Sequence, residues 1–301
     1  MLDIDQVRIN FSDDSLFILN ICLSFLIFGV ALDIKLSDFK KVLTQPKSVS
    51  VGLFSEYILL PILTMILIFI FEPKTSLALG MVLIACCPGG TTSNFMVHFS
   101  KSNAALSVLL TSITTIGAIF ITPMAFEFWS SFVPGKENLP ELSIDLVDMV
   151  KKVIQLIFIP VIIGIFLNEK YPVFTDKIKK GVGILSLVIF FTFVIGAIIS
   201  NFEFVKKYMF VVFWIVVAHN SLAFIIGYYT AKLFGENEAN SRAISIETGI
   251  QNTGLGLILV FNFFDGLGGM AMILAFWGMW HLISGFGLAM WWRRSAPVNN
   301  L

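Results

Sequence analysis

The stretch SIETGIQNTGL, residues 245–255, places a carboxylate, two amides and two threonine hydroxyls inside a long apolar run. An ionisable side chain within the hydrocarbon of a membrane costs a few kcal/mol and is usually paired. Glu247 in this run and Glu56 in an earlier apolar run are both at such a depth, and no Lys or Arg lies at comparable depth in any apolar run. The missing counter-charge is therefore expected to be a bound cation, a proton or water.

Neutral oxygen donors accompany these carboxylates. Ser107, Thr111 and Thr114 are spaced i, i+4 and i+7, which places them on one face of a helix. Further hydroxyl and amide oxygens belong to Ser93, Asn94 and Gln251. Hard cations bind oxygen, and one carboxylate with neutral oxygens suits a sodium ion better than a divalent metal. Taken alone, the Ser/Thr stripe is also typical of ordinary hydrogen bonds between membrane helices.

Two apolar runs are interrupted near their middle. The first contains CCPGGTTSN, residues 86–94, and in the second Gly249 and Gly254 bracket polar residues. Proline and glycine weaken a helix, whereas Ser, Thr and Asn favour the start of a new one. Lipid does not satisfy free backbone groups, so such breaks are buried in protein or line a cavity. Paired breaks in two halves of a chain indicate a transporter with inverted repeats, and simple kinks are the alternative.

The composition is that of an integral membrane protein in a lipid bilayer. Hydrophobic residues make up 57% of the 301 residues and charged residues 13%, against roughly 25% charged residues in soluble domains. The net charge of zero gives no reason to expect a nucleic-acid partner, and nothing implies a protein partner. Cys22, Cys86 and Cys87 all lie in apolar runs, so neither a disulfide framework nor a cysteine metal site is expected.

A membrane helix needs about 20 apolar residues. Nine spans are predicted, at 15–32, 48–71, 75–99, 102–128, 150–168 (apolar from 153), 181–202, 208–231, 243–264 and 266–292. Thirteen Lys and Arg flank one set of span ends and seven the other, which predicts an external N-terminus and a cytoplasmic C-terminus in the cell membrane. The connection 129–150 divides the chain into a first repeat of four spans (15–128) and a second of five (150–292).

An intramembrane enzyme and a cation/proton antiporter are the alternatives to a symporter. An intramembrane enzyme is not expected, because the chain has no paired histidines of the H-E-x-x-H kind and no Ser or Cys nucleophile beside a histidine. His98 and His219 are interpreted as packing residues. A cation/proton antiporter also uses broken helices and buried carboxylates, and it needs no organic-anion pocket, so this alternative stays open.

Six segments of the chain, taken together, resemble the bile acid:sodium symporter family, in particular prokaryotic homologues of the apical sodium-dependent bile acid transporter. They follow one another in family order over nearly the whole chain and read FGVALDIKLSDF (28–39), CCPGGTTSN (86–94), ALSVLLTS (105–112), AHN (218–220), ETGIQNTGL (247–255) and WHLISG (280–285). The resemblance implies an all-α polytopic fold in which two discontinuous helices cross at the membrane centre. The spans 15–32, 150–168 and 181–202 would form a panel domain, and the other six a core domain.

The resemblance further implies sodium-coupled symport of an organic anion by alternating access, with two Na⁺ ions bound behind the crossing. The first ion would be held by Glu247, Asn94, Ser93, Thr111 and Ser107. The second would be held by Gln251, Glu247, the carbonyls of Thr248 and Ile250, and position 56. The substrate would lie against the crossing, at Thr91, Thr92, Asn252, Thr253 and His281. The family carries bile acids, sterol sulfates, pantoate, pyruvate and other organic anions, and the sequence does not select among them.

Position 56 departs from the family pattern. Relatives that align here have glutamine, whereas this chain has Glu56. A second carboxylate favours either tighter cation binding or a bound proton in so dry a place. Proton-coupled transport of an organic anion through Glu56 and Glu247 is therefore a second alternative to sodium symport.

Overall fold

The computed structural model describes residues 3–9, 20–21, 24–25, 27–29, 31–34, 45–90, 92–139, 147, 150–151, 154–200 and 202–295. Most of the predicted span 15–32 and of the connection 129–150 after residue 139 lies outside these ranges. The described helices are α1 (Pro46–Phe71), α2 (Thr75–Cys86), α3 (Thr92–Phe99), α4 (Ala104–Ser130), α5 (Ile159–Lys170), α6 (Pro172–Ser200), α7 (Phe202–Leu233), α8 (Glu238–Gly249), α9 (Thr253–Phe263) and α10 (Gly268–Arg294).

Four described helices, α1, α4, α7 and α10, are long and apolar enough to cross a membrane, and α2 and α9 are shorter apolar helices. Their outer faces are themselves apolar. On α1 the exposed side chains Ile58, Ile62, Ile66 and Phe69 recur at intervals of three and four residues and form a continuous stripe. A stripe of this kind is unfavourable in water and is solvated by lipid. The described part of the chain is a helical membrane protein.

The two interrupted helices meet at their breaks, and this meeting point is called the crossing below. Helix α2 ends at Cys86 and α3 begins at Thr92, while α8 ends at Gly249 and α9 begins at Thr253. The breaks pair as an antiparallel bridge, in which the Gly90 N–H donates to the Ile250 carbonyl at 2.8 Å and the Asn252 N–H donates to the Pro88 carbonyl at 2.8 Å. Backbone groups that lipid would leave unpaired are thus satisfied by the other break.

The second break lies within the stretch that Gly249 and Gly254 bracket, as predicted, and is shorter than that stretch. Gly254 lies inside α9, and the interruption covers Ile250, Gln251 and Asn252. Asn252 sets the start of α9, because its side-chain oxygen accepts a hydrogen bond from the Leu255 N–H at 3.0 Å. This N-cap satisfies one free donor of the new helix and begins it before the glycine is reached.

Helix α1 contains a π-helical turn, Ser55–Leu59, which the sequence analysis did not predict. The Leu60 N–H bonds to the Ser55 carbonyl, five residues back. Pro61 follows directly, and since proline has no N–H and its ring crowds the preceding turn, the wider turn relieves the conflict. A second π-helical turn, Ile154–Phe158, stands in the same relation to Pro160.

Arg242 ties the first turns of α8 to the end of α10. Its guanidinium, 7% exposed, donates to Glu238 at 2.7 Å and to the backbone carbonyls of Trp292 at 3.1 Å and Ser295 at 2.9 Å. Partial burial raises the pKa of Glu238, but hydrogen bonds from Lys232 and Arg242 outweigh it and hold that pKa below its ordinary value. The helix that carries Glu247 is thereby fixed at its far end.

Arg242→Met is expected to lower the melting temperature of the purified protein in detergent. Hydrogen bonds to charged groups contribute about 1.5–3 kcal/mol each, and this change removes them and leaves terminal carbonyls of α10 unpaired. Arg294→Met, which changes an exposed arginine at the end of α10, is the matched control. Equal melting temperatures for the two variants would show that the Arg242 contacts do not hold the helices together.

Candidate functional site

The carboxylate of Glu247 joins three helices. It lies near the end of α8, is 1% exposed, and receives hydrogen bonds from hydroxyls on α3 and α4. Ser93 donates to its Oε1 at 2.5 Å, Ser107 also contacts Oε1, and Thr111 donates to Oε2 at 2.9 Å. The i, i+4 spacing of Ser107 and Thr111 therefore brings both hydroxyls to one carboxylate.

Acceptors outnumber protons around Glu247. The Ser107 hydroxyl lies 2.8 Å from Asn94 Oδ1 while it also contacts Glu247. The Thr111 hydroxyl lies within hydrogen-bond distance of Glu247, of Asn94 Oδ1 at 3.2 Å and of the Ser107 carbonyl at 3.0 Å. Each hydroxyl has a single proton to donate. Several oxygens thus converge with unused lone pairs, which is the arrangement that a hard cation requires.

Glu56, in the π-helical turn of α1, lies at the same place. It is 1% exposed, and neither of its carboxylate oxygens has a hydrogen-bond partner among the described residues. A side-chain carbon at Gly89 would lie 2.8 Å from Glu247 Oε2 and 3.5 Å from Glu56 Oε1. The two carboxylates therefore face the same point of the first break, and the absence of a side chain at Gly89 leaves that point open.

Gln251 adds a free oxygen at the crossing. Its amide nitrogen donates to the Thr248 carbonyl at 3.0 Å, while its Oε1 is buried without a partner among the described residues. The two predicted carbonyl ligands already accept one bond each, Thr248 from Gln251 and Ile250 from the Gly90 N–H. A carbonyl oxygen has a second lone pair, so both stay available to a cation.

The residues predicted to contact substrate are distributed along the crossing. Thr91 lies outside the described residues. Thr92 is the first residue of α3, and Asn252 and Thr253 open α9, so these three side chains sit where the helices restart. His281 is buried on α10 with Nδ1 unpartnered, and no hydrogen bond in the described ranges joins it to the other three. One turn further on, Gly285 packs against Ile250, which brings α10 to the crossing.

Three polar residues at the crossing were not assigned from the sequence. Asn220 on α7 donates to the Gly249 carbonyl at 2.7 Å and accepts from Ser284 on α10 at 2.7 Å, so it fixes the end of α8. Ser55 lies 2.9 Å from the Thr248 hydroxyl. The sequence signal for Asn220 was an amide in the middle of an apolar run, within the segment AHN that resembles the family.

His219, interpreted as a packing residue, has that environment. Its Nε2 lies 2.8 Å from the Thr64 hydroxyl, and its ring meets Trp277 edge-on with centroids 4.8 Å apart. Across the described ranges, no three His, Cys, Asp or Glu side chains converge as a metal cluster. The donors at the crossing are two carboxylates together with amide, hydroxyl and carbonyl oxygens.

Comparison with known proteins identifies the family. The family model described as "Sodium Bile acid symporter family" matches residues 20–208, which is more than half of the chain. The chain belongs to the sodium bile acid symporter family. Its matched region contains the first break, Ser93, Ser107 and Thr111.

Relatives in this family are named as transporters. The uncharacterized sodium-dependent transporter YocS of Bacillus subtilis (strain 168) is 32% identical over 279 residues, 92% of this chain and 83% of that protein. Two chloroplast proteins named probable sodium/metabolite cotransporters are each 30% identical: BASS2 of Oryza sativa subsp. japonica, over 92% of this chain and 64% of its own, and BASS1 of Arabidopsis thaliana, over 91% and 66%. The chain thus spans about two thirds of these plant relatives.

Gly89→Ala is expected to weaken sodium binding about tenfold, equivalent to about 1.4 kcal/mol. The added carbon would lie 2.8 Å from Glu247 Oε2, so the carboxylate has to move. The measurement is the sodium concentration that gives half of the maximal thermal stabilisation of the purified protein.

Gly287→Ala is the matched control, because a carbon at Gly287 meets nothing within 4 Å. If Gly89→Ala and Gly287→Ala respond to sodium alike, the open space at Gly89 has no part in ion binding.

Proposed function

We propose that this chain is a secondary active transporter that couples inward movement of sodium to the uptake of an organic anion. The observation that carries the proposal is the pair of buried carboxylates, Glu56 and Glu247, which have no basic partner in the described part of the chain. Family membership supports sodium as the cation, since the Bacillus relative is named a sodium-dependent transporter.

Two Na⁺ ions would fill the site. The first is assigned to the oxygens grouped around one end of α8, those of Glu247, Asn94, Ser93, Thr111 and Ser107. The second is assigned to Gln251, Glu247, Glu56 and the carbonyls of Thr248 and Ile250. Contacts among the first group and the free Oε1 of Gln251 in the second support this division.

The anion would bind where the helices restart. The starts of α3 and α9 present backbone N–H groups and the positive end of the helix dipole, which stabilise a negative group. Thr92, Asn252, Thr253, His281 and, outside the described residues, Thr91 are assigned to this side of the crossing. The substrate class is an organic carboxylate or sulfate of the bile-acid or pantoate kind.

Sodium binding and anion binding are coupled because both sites adjoin the same two helix breaks. Sodium at Glu247 draws together α3, α4 and α8, and α3 and α8 also provide or adjoin the anion site. Sodium and anion therefore raise each other's affinity by the same factor. Two Na⁺ with one monovalent anion move one net positive charge inward, and the membrane potential then contributes about 2.3 kcal/mol per 100 mV.

The architecture proposed for this cycle has nine membrane spans, with the N-terminus outside and the C-terminus in the cytoplasm of the cell. A core domain that contains both broken helices would move against a panel of spans 15–32, 150–168 and 181–202. The two breaks, which lie in different halves of the chain and pair with each other, support an inverted repeat.

Glu247→Gln is expected to reduce sodium-driven accumulation of substrate at least about a hundredfold, because it removes the charge that attracts the first ion. Proteoliposomes with an inward sodium gradient and an inside-negative potential would be screened with radiolabelled bile acid, pantoate and pyruvate. Glu72→Gln, an exposed carboxylate at the end of α1, is the control. Accumulation by Glu247→Gln at the control rate would refute sodium coupling at this site.

Proton coupling is the second candidate, and the unpartnered oxygens of Glu56 favour it. An inward proton gradient without sodium would then drive anion uptake. Sodium symport predicts no accumulation under that condition. A cation/proton antiporter is separated in the same vesicles, because it would exchange sodium for protons with no organic anion present.

A further inference from the structure

We propose that the crossing also binds one divalent cation of calcium size, with Glu56 and Glu247 both as ligands, and that this ion competes with sodium. The inference rests on the proposed function, because it places the divalent ion in the sodium site. It goes beyond that function because the ion carries two positive charges and its binding depends on the second carboxylate, Glu56.

The charge of the ligands favours a divalent cation. Calcium takes six to eight oxygen ligands, and its affinity rises with the number of carboxylates that face it. A single carboxylate with neutral oxygens matches a monovalent ion. Here the π-helical turn adds Glu56 to the site of Glu247, so that one divalent ion balances both negative charges.

The site also has oxygen donors that are free to bind the divalent ion. Both oxygens of Glu56 and the Oε1 of Gln251 are buried without a well-formed hydrogen bond among the described residues, so their lone pairs are available to an ion. The Thr114 hydroxyl lies 3.8 Å from the point beside Gly89 that both carboxylates face. These oxygens are hard donors, and none of them is a thiolate or imidazole.

The consequence is a competitive block. One calcium ion that uses both carboxylates neutralises the charge that would otherwise attract two sodium ions. Calcium therefore inhibits sodium-driven uptake, and an excess of sodium relieves the inhibition. Magnesium is expected to inhibit less, because it demands near-ideal octahedral geometry at shorter distances and gives up its water reluctantly.

The test uses the purified full chain in detergent. Equilibrium binding of ⁴⁵Ca²⁺ without sodium is expected to show one saturable ion per chain, displaced by added NaCl. Glu56→Gln is expected to weaken calcium binding at least tenfold, whereas Glu72→Gln, an exposed carboxylate, is expected to bind calcium as the native chain does. A melting transition measured without ions establishes that each variant is folded.

Glu56→Asp is the second variant, which keeps the charge and is expected to retain part of the calcium binding. Sodium-induced thermal stabilisation is measured in parallel on the native chain. Sodium stabilisation without calcium binding would overturn this inference and leave the proposed function standing. Absence of both would overturn the proposed function. Calcium binding that is equal in native chain and Glu56→Gln would also overturn the inference, since Glu56 would then not be a ligand.

Discussion

The hydroxyls of Ser93, Ser107 and Thr111 surround the carboxylate of Glu247, and a second carboxylate, Glu56, lies across the open space at Gly89. These groups hold more acceptor oxygens than protons, in a place that water and lipid do not neutralise. The described helices meet this constraint when a metal cation or a proton enters. Three helices converge on Glu247, so an ion at this point also determines how α3, α4 and α8 are held together.

Three irregular backbone segments, the two breaks and the π-helical turn of α1, meet at this one place. The first break lets Gly89 stand between the carboxylates, and the second places Gln251 opposite it. Neither break leaves its bridging backbone groups exposed to lipid, because each bonds to the other. The π-helical turn before Pro61 carries the buried Glu56, and Asn220 fixes the free carbonyl at the end of α8. Each of these departures from a regular helix therefore supplies or positions an oxygen at the crossing.

Much of this could be predicted from the sequence because the signals are local. The spacing of Ser107 and Thr111, the proline and glycines of the first break, and a glutamate without a basic partner each follow from residue type and interval. The four long apolar helices α1, α4, α7 and α10 could be predicted for the same reason, as hydrophobic runs of the necessary length. The family was recognised from the combination of these motifs, and the comparison with the family model confirms it.

The other features of the site depend on contacts that residue spacing does not reveal. A π-helical turn shifts every following side chain, and the regular helical period of the sequence does not reveal the turn at Ser55–Leu59. The glycines bracket the second break, but its end within that bracket depends on the Asn252 cap, which decides where α9 begins. Asn220 acts through a carbonyl on another helix, a contact between residues 29 positions apart in the chain. The substrate pocket depends in part on Thr91 and on spans outside the described residues.

The central claim is that sodium supplies the positive charge that the crossing lacks. The most direct measurement is equilibrium binding of ²²Na⁺ to the purified native chain, with no organic anion and no other alkali ion present. The account predicts saturable binding of two ions per chain that is lost when the protein is heat-unfolded. Sodium binding no greater than that of the unfolded chain would contradict it.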